Sequence, residues 1–130
     1  MKRPELQIAY RNGRVVAIRP REPEPLPLGP LARETGFKVS RLCALFNLSD
    51  RQFHRTFNEC LGISPKDWLR RERMVQARQL LMEGNAIKEA AAELGFPSTK
   101  DFSREFQSFY EVSPTDFQRR QDALRKGGIV

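Results

Sequence analysis

Apolar positions follow two different periods along the chain. Near the N-terminus, Leu6 to Tyr10 and Val15 to Ile18 are short β-prone runs on either side of Arg11-Asn12-Gly13-Arg14. Asn-Gly tolerates the positive φ angles of a two-residue type I′ turn, so residues 1–20 are expected to hold a β-hairpin. An isolated hairpin is marginal in water, which leaves it either packed on something else or partly disordered. From residue 38 onward the period is helical. Val39, Leu42, Cys43 and Phe46 fall at i, i+3, i+4, i+7, as do Ile87, Ala90, Ala91 and Leu94. Each set is the apolar stripe of a short amphipathic helix. Between the two regimes, residues 21–29 and the following Pro30 are rich in proline, unsuited to helix or sheet interior, and read as an extended linker.

The helical part is an internal repeat. Moving Ser49–Arg71 by 49 positions superposes Phe53 on Phe102, Arg55 on Arg104, Phe57 on Phe106, Ser64-Pro65 on Ser113-Pro114, and Arg70-Arg71 on Arg119-Arg120, within nine identities in 23 positions. Upstream the register is 48, so a one-residue insertion falls near Pro97. In each copy the first helix ends at Asn47 or Gly95, residue types that readily take the left-handed conformation. Ser49 or Ser98 follows as the N-cap of the next helix. Small residues, Cys43 and Ala91, sit where two steeply crossing helices must come close. Helix, tight turn, helix with these features is the helix-turn-helix, whose second helix is suited to the major groove.

Ser64-Pro65-Lys66-Asp67 and Ser113-Pro114-Thr115-Asp116 mark the start of a third helix in each copy: the serine caps, proline fits the first helical position, and the acid can reach back to the cap amide. The fold expected is therefore mainly α, a homeodomain-like tandem pair with units over 38–63 and 86–120. A connecting helix over 64–83, roughly 28 Å long at 1.5 Å per residue, could hold two recognition helices about one DNA turn, roughly 34 Å, apart. Arg73 falls on the apolar side of that helix, where a structural hydrogen bond is expected.

In the helix after Ser49, Phe53 and Phe57 define the inner face, which leaves Arg51, His54, Arg55 and Asn58 as the outer stripe. In its repeat Phe102, Phe106 and Phe109 point inward; Lys100, Ser103, Arg104 and Gln107 point outward, with Thr99 at the exposed first turn. Bases are contacted mainly from the N-terminal half of such a helix. Arg51, His54, Arg55, Thr99, Lys100, Ser103 and Arg104 are the base-facing candidates. Asn58 and Gln107, one turn on, are better placed for phosphates. Arginines on an exposed face are commonly only solvated; recurrence of Arg55 and Arg104 at equivalent positions argues against that here. Arg70, Arg71, Arg119 and Arg120 either reach phosphates or are simply wet.

Charge agrees with an acidic partner: 23 Lys and Arg stand against 16 Asp and Glu, a formal +7. Residues 1–21 carry six basic side chains and one acidic, so the hairpin is either a DNA-facing arm or a packed tail, while residues 29–130 have 17 basic and 13 acidic, or +4. At 130 residues the chain has room for one ordinary domain. Its apolar stretches are far short of a membrane span, and Met1-Lys2-Arg3 is not followed by the apolar run of a signal peptide; a soluble, cytoplasmic, nucleoid-associated protein is expected. Cys43 and Cys60 lack a C-x-x-C pattern and both read as small core residues. His54, the single histidine, has no second ligand or nucleophile beside it. No metal, cofactor or catalytic constellation is indicated.

Ala91-Ala92-Glu93-Leu94-Gly95-Phe96, Phe102-Ser103-Arg104-Glu105-Phe106 and Val112-Ser113-Pro114, together with Leu61-Gly62-Ile63-Ser64-Pro65 and the Arg73, Ala77, Leu80, Leu81 pattern, resemble the DNA-binding domain of the AraC/XylS family of bacterial transcription regulators. The resemblance covers residues 39–120 and places an AraC-type domain over 30–126. It implies seven helices, two recognition helices (about 49–61 and 98–109) in successive major grooves, and regulation of transcription; the base-facing candidates match base-contacting family positions. The chain departs from the family in its short first helix, for which only 30–36 is available, and in lacking an evident sensing domain. It is similar in this to stand-alone members, which bind asymmetric sites as monomers. Double-stranded DNA is the expected partner and RNA polymerase a further candidate. A homodimer through the hairpin and an adaptor that kept the fold without specific DNA binding are the alternatives.

Overall fold

Asn12 (φ 54°) and Gly13 (φ 77°) both lie in the left-handed region, the geometry that closes a type I′ hairpin. Around them β1 (Gln7–Arg11) and β2 (Arg14–Ile18) pair antiparallel, with Arg11 opposite Arg14 and Ile8 opposite Ala17. The structure is a computed structural model that describes residues 6–22 and 24–127. Met1-Lys2-Arg3 and Pro23 lie outside the described residues.

The proline-rich stretch differs from the extended linker expected over 21–29. Leu26–Pro27 forms β3, antiparallel to β2 through Val16 and Ala17, in a sheet of order β1-β2-β3. The helix expected from residue 30 begins earlier, as α1 (Leu28–Glu34). β3 is an edge strand, where a proline's missing N–H breaks no ladder bond. Pro30 is the third residue of α1, inside the first turn, whose N–H groups have no intrahelical acceptor. Local composition excluded the interior of regular structure correctly, but not its edge and its first turn.

The chain then runs through α2 (Val39–Leu45), α3 (Asp50–Leu61), α4 (Pro65–Met82), α5 (Ile87–Glu93), α6 (Thr99–Tyr110) and α7 (Pro114–Gly127). Contacts divide it into two compact units, Met1–Glu72 and Arg73–Val130. The described residues of the hairpin and the proline-rich stretch fall within the first of these units. Ile8, Val15 and Ala17 enter the same buried cluster as Leu28, Ala32, Leu42, Cys43, Phe53, Phe57 and Trp68. β1 packs against α3 and β2 against α1. Packing on helices supplies the apolar burial that a free hairpin lacks.

An aromatic series runs through each core. In the first unit ring centroids are 6.2 Å apart for Phe46–Phe53, 5.0 Å for Phe53–Phe57 and 5.6 Å for Phe57–Trp68. In the second they are 5.3 Å for Phe96–Phe102, 5.8 Å for Phe102–Phe106 and 5.7 Å for Phe106–Phe117. Arg73 takes the structural role expected of it: its Nε donates to the Leu94 carbonyl at 3.0 Å and its guanidinium lies 3.6 Å over the Phe96 ring. Burial lowers its pKa from the usual guanidinium value, opposed by the Glu105 carboxylate. The Tyr110 hydroxyl, half-buried beside Phe106, donates to the Met74 carbonyl at 2.9 Å. Gln118 donates to the Asn85 carbonyl and Arg125 to that of Met82.

One expected core residue is not in the core. Cys43 is buried, whereas Cys60 is exposed. Position 60 continues the Phe53, Phe57 spacing, but it falls in the last turn of α3, which ends at the left-handed Gly62. There Leu61 and Ile63 turn toward the cluster in its place.

Candidate nucleic-acid interface

Both turns between paired helices are built alike. Asn47 (φ 56°) and Gly95 (φ 78°) take the left-handed conformation. Leu48 N–H donates to Cys43 O and Phe96 N–H to Ala91 O, each at 3.0 Å; Asn47 N–H donates to Ala44 O at 3.2 Å and Gly95 N–H to Ala92 O at 3.1 Å. These two bonds per turn are the Schellman motif, which satisfies the carbonyls left free at a helix end. Cys43 and Ala91, the small residues of the two stripes, each supply one of the accepting carbonyls.

Serine caps then start the second helices. Ser49 Oγ accepts from Gln52 N–H at 3.1 Å while Gln52 Oε1 accepts from Ser49 N–H at 3.0 Å, a complete capping box. Ser98 Oγ accepts from Asp101 N–H at 3.1 Å and donates to Asp101 Oδ2 at 3.0 Å. The third helices are capped by Ser64 and Ser113, each accepting from the amide three residues on at 3.1 Å. The spacing Ser49-x-x-Gln52 is the sequence form of this capping box.

With Phe53, Phe57, Phe102 and Phe106 all at 0% exposure, the opposite faces of α3 and α6 are fixed outward. Arg51, His54, Arg55 and Asn58 are exposed on α3; Thr99, Lys100, Arg104 and Gln107 are exposed on α6, and Ser103 is half-buried. Arg70 and Arg71 on α4 and Arg119 and Arg120 on α7 are exposed as well. Each unit therefore carries one polar ridge on a helix whose inner face is locked by two phenylalanines.

The two ridges differ electrostatically. Arg104 Nη2 lies 3.5 Å from Asp101 Oδ1. Arg55 has no hydrogen-bond or ion-pair partner among the described residues. Arg119 is paired with Asp116 at 3.0 Å, both well exposed. Among the described residues no group of three metal-ligating side chains occurs, and no helix is long and apolar enough to cross a membrane.

Helix, Schellman turn and serine-capped helix with a polar outer face, present once in each unit, define a tandem helix-turn-helix protein. A family model described as "Helix-turn-helix domain" matches residues 42–120. The chain is 34% identical over 80 residues to the HTH-type transcriptional activator RhaS of Citrobacter koseri, covering 61% of this chain and 29% of that protein. The RhaS of Klebsiella pneumoniae is 32% identical over 84 residues, covering 64% and 30%. The chain thus spans under a third of the length of the curated relatives it matches. Among solved structures, the DNA-binding domain of AdpA, described as a global transcriptional factor in complex with a target DNA, is 30% identical with a TM-score of 0.65, covering 76% of this chain and 93% of that one. A DNA-binding transcriptional dual regulator from Escherichia coli K-12 shares the fold at 23% identity and a TM-score of 0.63, over 73% and 88% of the two chains. This chain belongs to the AraC/XylS family of helix-turn-helix transcription regulators, which is not a family of enzymes.

Proposed function

We propose that the chain is a sequence-specific DNA-binding regulator of transcription that inserts α3 and α6 in successive major grooves. The observation carrying this reading is the recurrence, in both units, of an exposed polar ridge on a helix fixed by a Schellman turn, a serine cap and a buried phenylalanine pair. AdpA, a relative of the same fold, was solved on a target DNA. In this reading Arg51, His54 and Arg55 read one element and Thr99, Lys100, Ser103 and Arg104 the other. Arg55 and Arg104 are each suited to a bidentate contact with guanine O6 and N7. Asn58, Gln107, Arg70, Arg71, Arg119 and Arg120 hold phosphates and set the register.

Selection of bound sequences from a random DNA pool, repeated with Arg55→Ala and Arg104→Ala, tests it. The expected site is roughly 15–20 base pairs with two separated elements. Each substitution is expected to cost about 1–3 kcal/mol and to relax a different element. Loss of both elements from either change would contradict the assignment. Weak binding erased by modest salt, with no enriched sequence, would favour an adaptor that keeps the fold without reading DNA.

A further inference from the structure

The first unit holds a feature with no counterpart in the function proposed for it: an open cleft of about 910 Å³ between the exit of the hairpin and the helix-turn-helix. Its lining includes the apolar side chains Leu6, Leu45, Phe46 and Leu48. Leu45, on the outer side of α2, is 56% exposed. The same lining brings together Arg19 and Arg21 of the hairpin exit and Arg55 of α3, with Glu22 as the one carboxylate among its described residues. Glu22 reaches Arg19 only at 3.9 Å, and the Arg19 Nε is buried with no hydrogen-bond partner among the described residues.

A concave site with an apolar wall, a few converging polar groups and a volume within the range of roughly 300–1,000 Å³ is the usual form of a small-molecule site. Among the described lining residues three guanidiniums stand against one carboxylate, a balance that selects an anion, since charge-assisted bonds to carboxylate, sulfonate or phosphate suit arginine. A DNA phosphate would satisfy the cations but leave the apolar lining residues wet, because it has nothing to bury against them. We propose that this cleft binds a small amphipathic anion, a ring or chain system carrying one acidic group, and that its occupation engages Arg55 and withdraws it from DNA. The first half concerns the cleft alone; the second rests on the DNA-binding reading given above. Arg104 in the second unit is already held by Asp101 and does not line this cleft, so the effect falls on the first element only.

The probe is 8-anilinonaphthalene-1-sulfonate, titrated into the full chain by fluorescence beside the uncharged N-phenyl-1-naphthylamine. Saturable sulfonate binding is expected, with the neutral analogue weaker by about tenfold or more. Leu45→Glu, at an exposed position that tolerates a polar residue, and Arg19→Gln are each expected to weaken the sulfonate by about tenfold or more, with circular dichroism unchanged. Saturating sulfonate is expected to weaken binding to a duplex carrying the first element by a similar factor, while the Arg55→Ala chain on that duplex is insensitive. Equal binding by Leu45→Glu, or by the neutral analogue, would overturn the site. No sulfonate binding together with an Arg19→Gln chain whose DNA affinity falls less steeply with salt would assign the cleft to the DNA backbone instead. Undisturbed DNA binding at saturation would overturn the withdrawal of Arg55. The titration without DNA is read whether or not the chain binds DNA, so failure of the cleft and failure of the DNA reading give different results.

Discussion

Arg55 and Arg104 stand at equivalent positions of the repeat, yet only Arg104 is tied down, at 3.5 Å from Asp101. The residue equivalent to Asp101 in the first unit is Gln52, which is neutral and occupied by its capping box. In the proposed complex Asp101 therefore competes with DNA for Arg104 and repels nearby phosphate. An exposed pair of this kind is worth under about 1 kcal/mol, so Asp101→Asn is expected to tighten binding to the second element by about two- to fivefold. A mobility shift with a duplex mutated in the first element reads the change; unchanged or weaker binding would contradict the competition. The cysteines allow a second check. Burial first, and then the hydrogen bond and charge of Asp50, push the Cys43 thiol up to about 12. A pKa raised on folding stabilises the native state below the unfolded value, and that contribution is lost as pH rises from about 9 toward 12. A maleimide at neutral pH is expected to label Cys60 and spare Cys43 until the chain unfolds; equal labelling of both would contradict the burial.

At the scale of elements, the sequence showed most where a structure is decided by neighbours in the chain. Asn12-Gly13 dictated the hairpin turn, Asn47 and Gly95 the Schellman turns, and Ser49, Ser98, Ser64 and Ser113 the helix starts. Each depends on only a few consecutive residues. β3 and the early start of α1 were not legible, because a two-residue edge strand exists only through its pairing with Val16 and Ala17. Cys60 was misplaced for a related reason: periodicity gives the direction of a side chain but not where the core beneath it ends. Arg73 was read correctly from its place on an apolar stripe, and it offers a direct test of that stripe. Arg73→Met keeps much of the packing on Phe96 but leaves the Leu94 carbonyl without its charged donor. Urea unfolding is expected to show a loss of about 1–3 kcal/mol. Arg73→Lys is expected to recover little, since an ammonium lacks the flat face that stacks on the ring. A change within about 0.5 kcal/mol for both would show that the bond contributes nothing net.

At the scale of the whole molecule, the duplicated ridges were visible because a repeat carries its own control: a feature found twice at equivalent positions outweighs either instance alone. The cleft beside the first ridge was invisible, since it joins Leu6, residues 19–22, 45–48 and the middle of α3, stretches linked by no period or motif. It exists only because the hairpin packs on the first unit. The second unit has no such addition among the described residues, so two units alike in their helix-turn-helix cores differ in what surrounds them. Methylation interference at guanine N7, on the selected site with the full chain, tests the proposed pair of readers most directly. Two clusters about one helical turn apart on one DNA face are expected, with Arg55→Ala erasing one and Arg104→Ala the other. A single cluster, or two clusters that vanish together with either substitution, would contradict it.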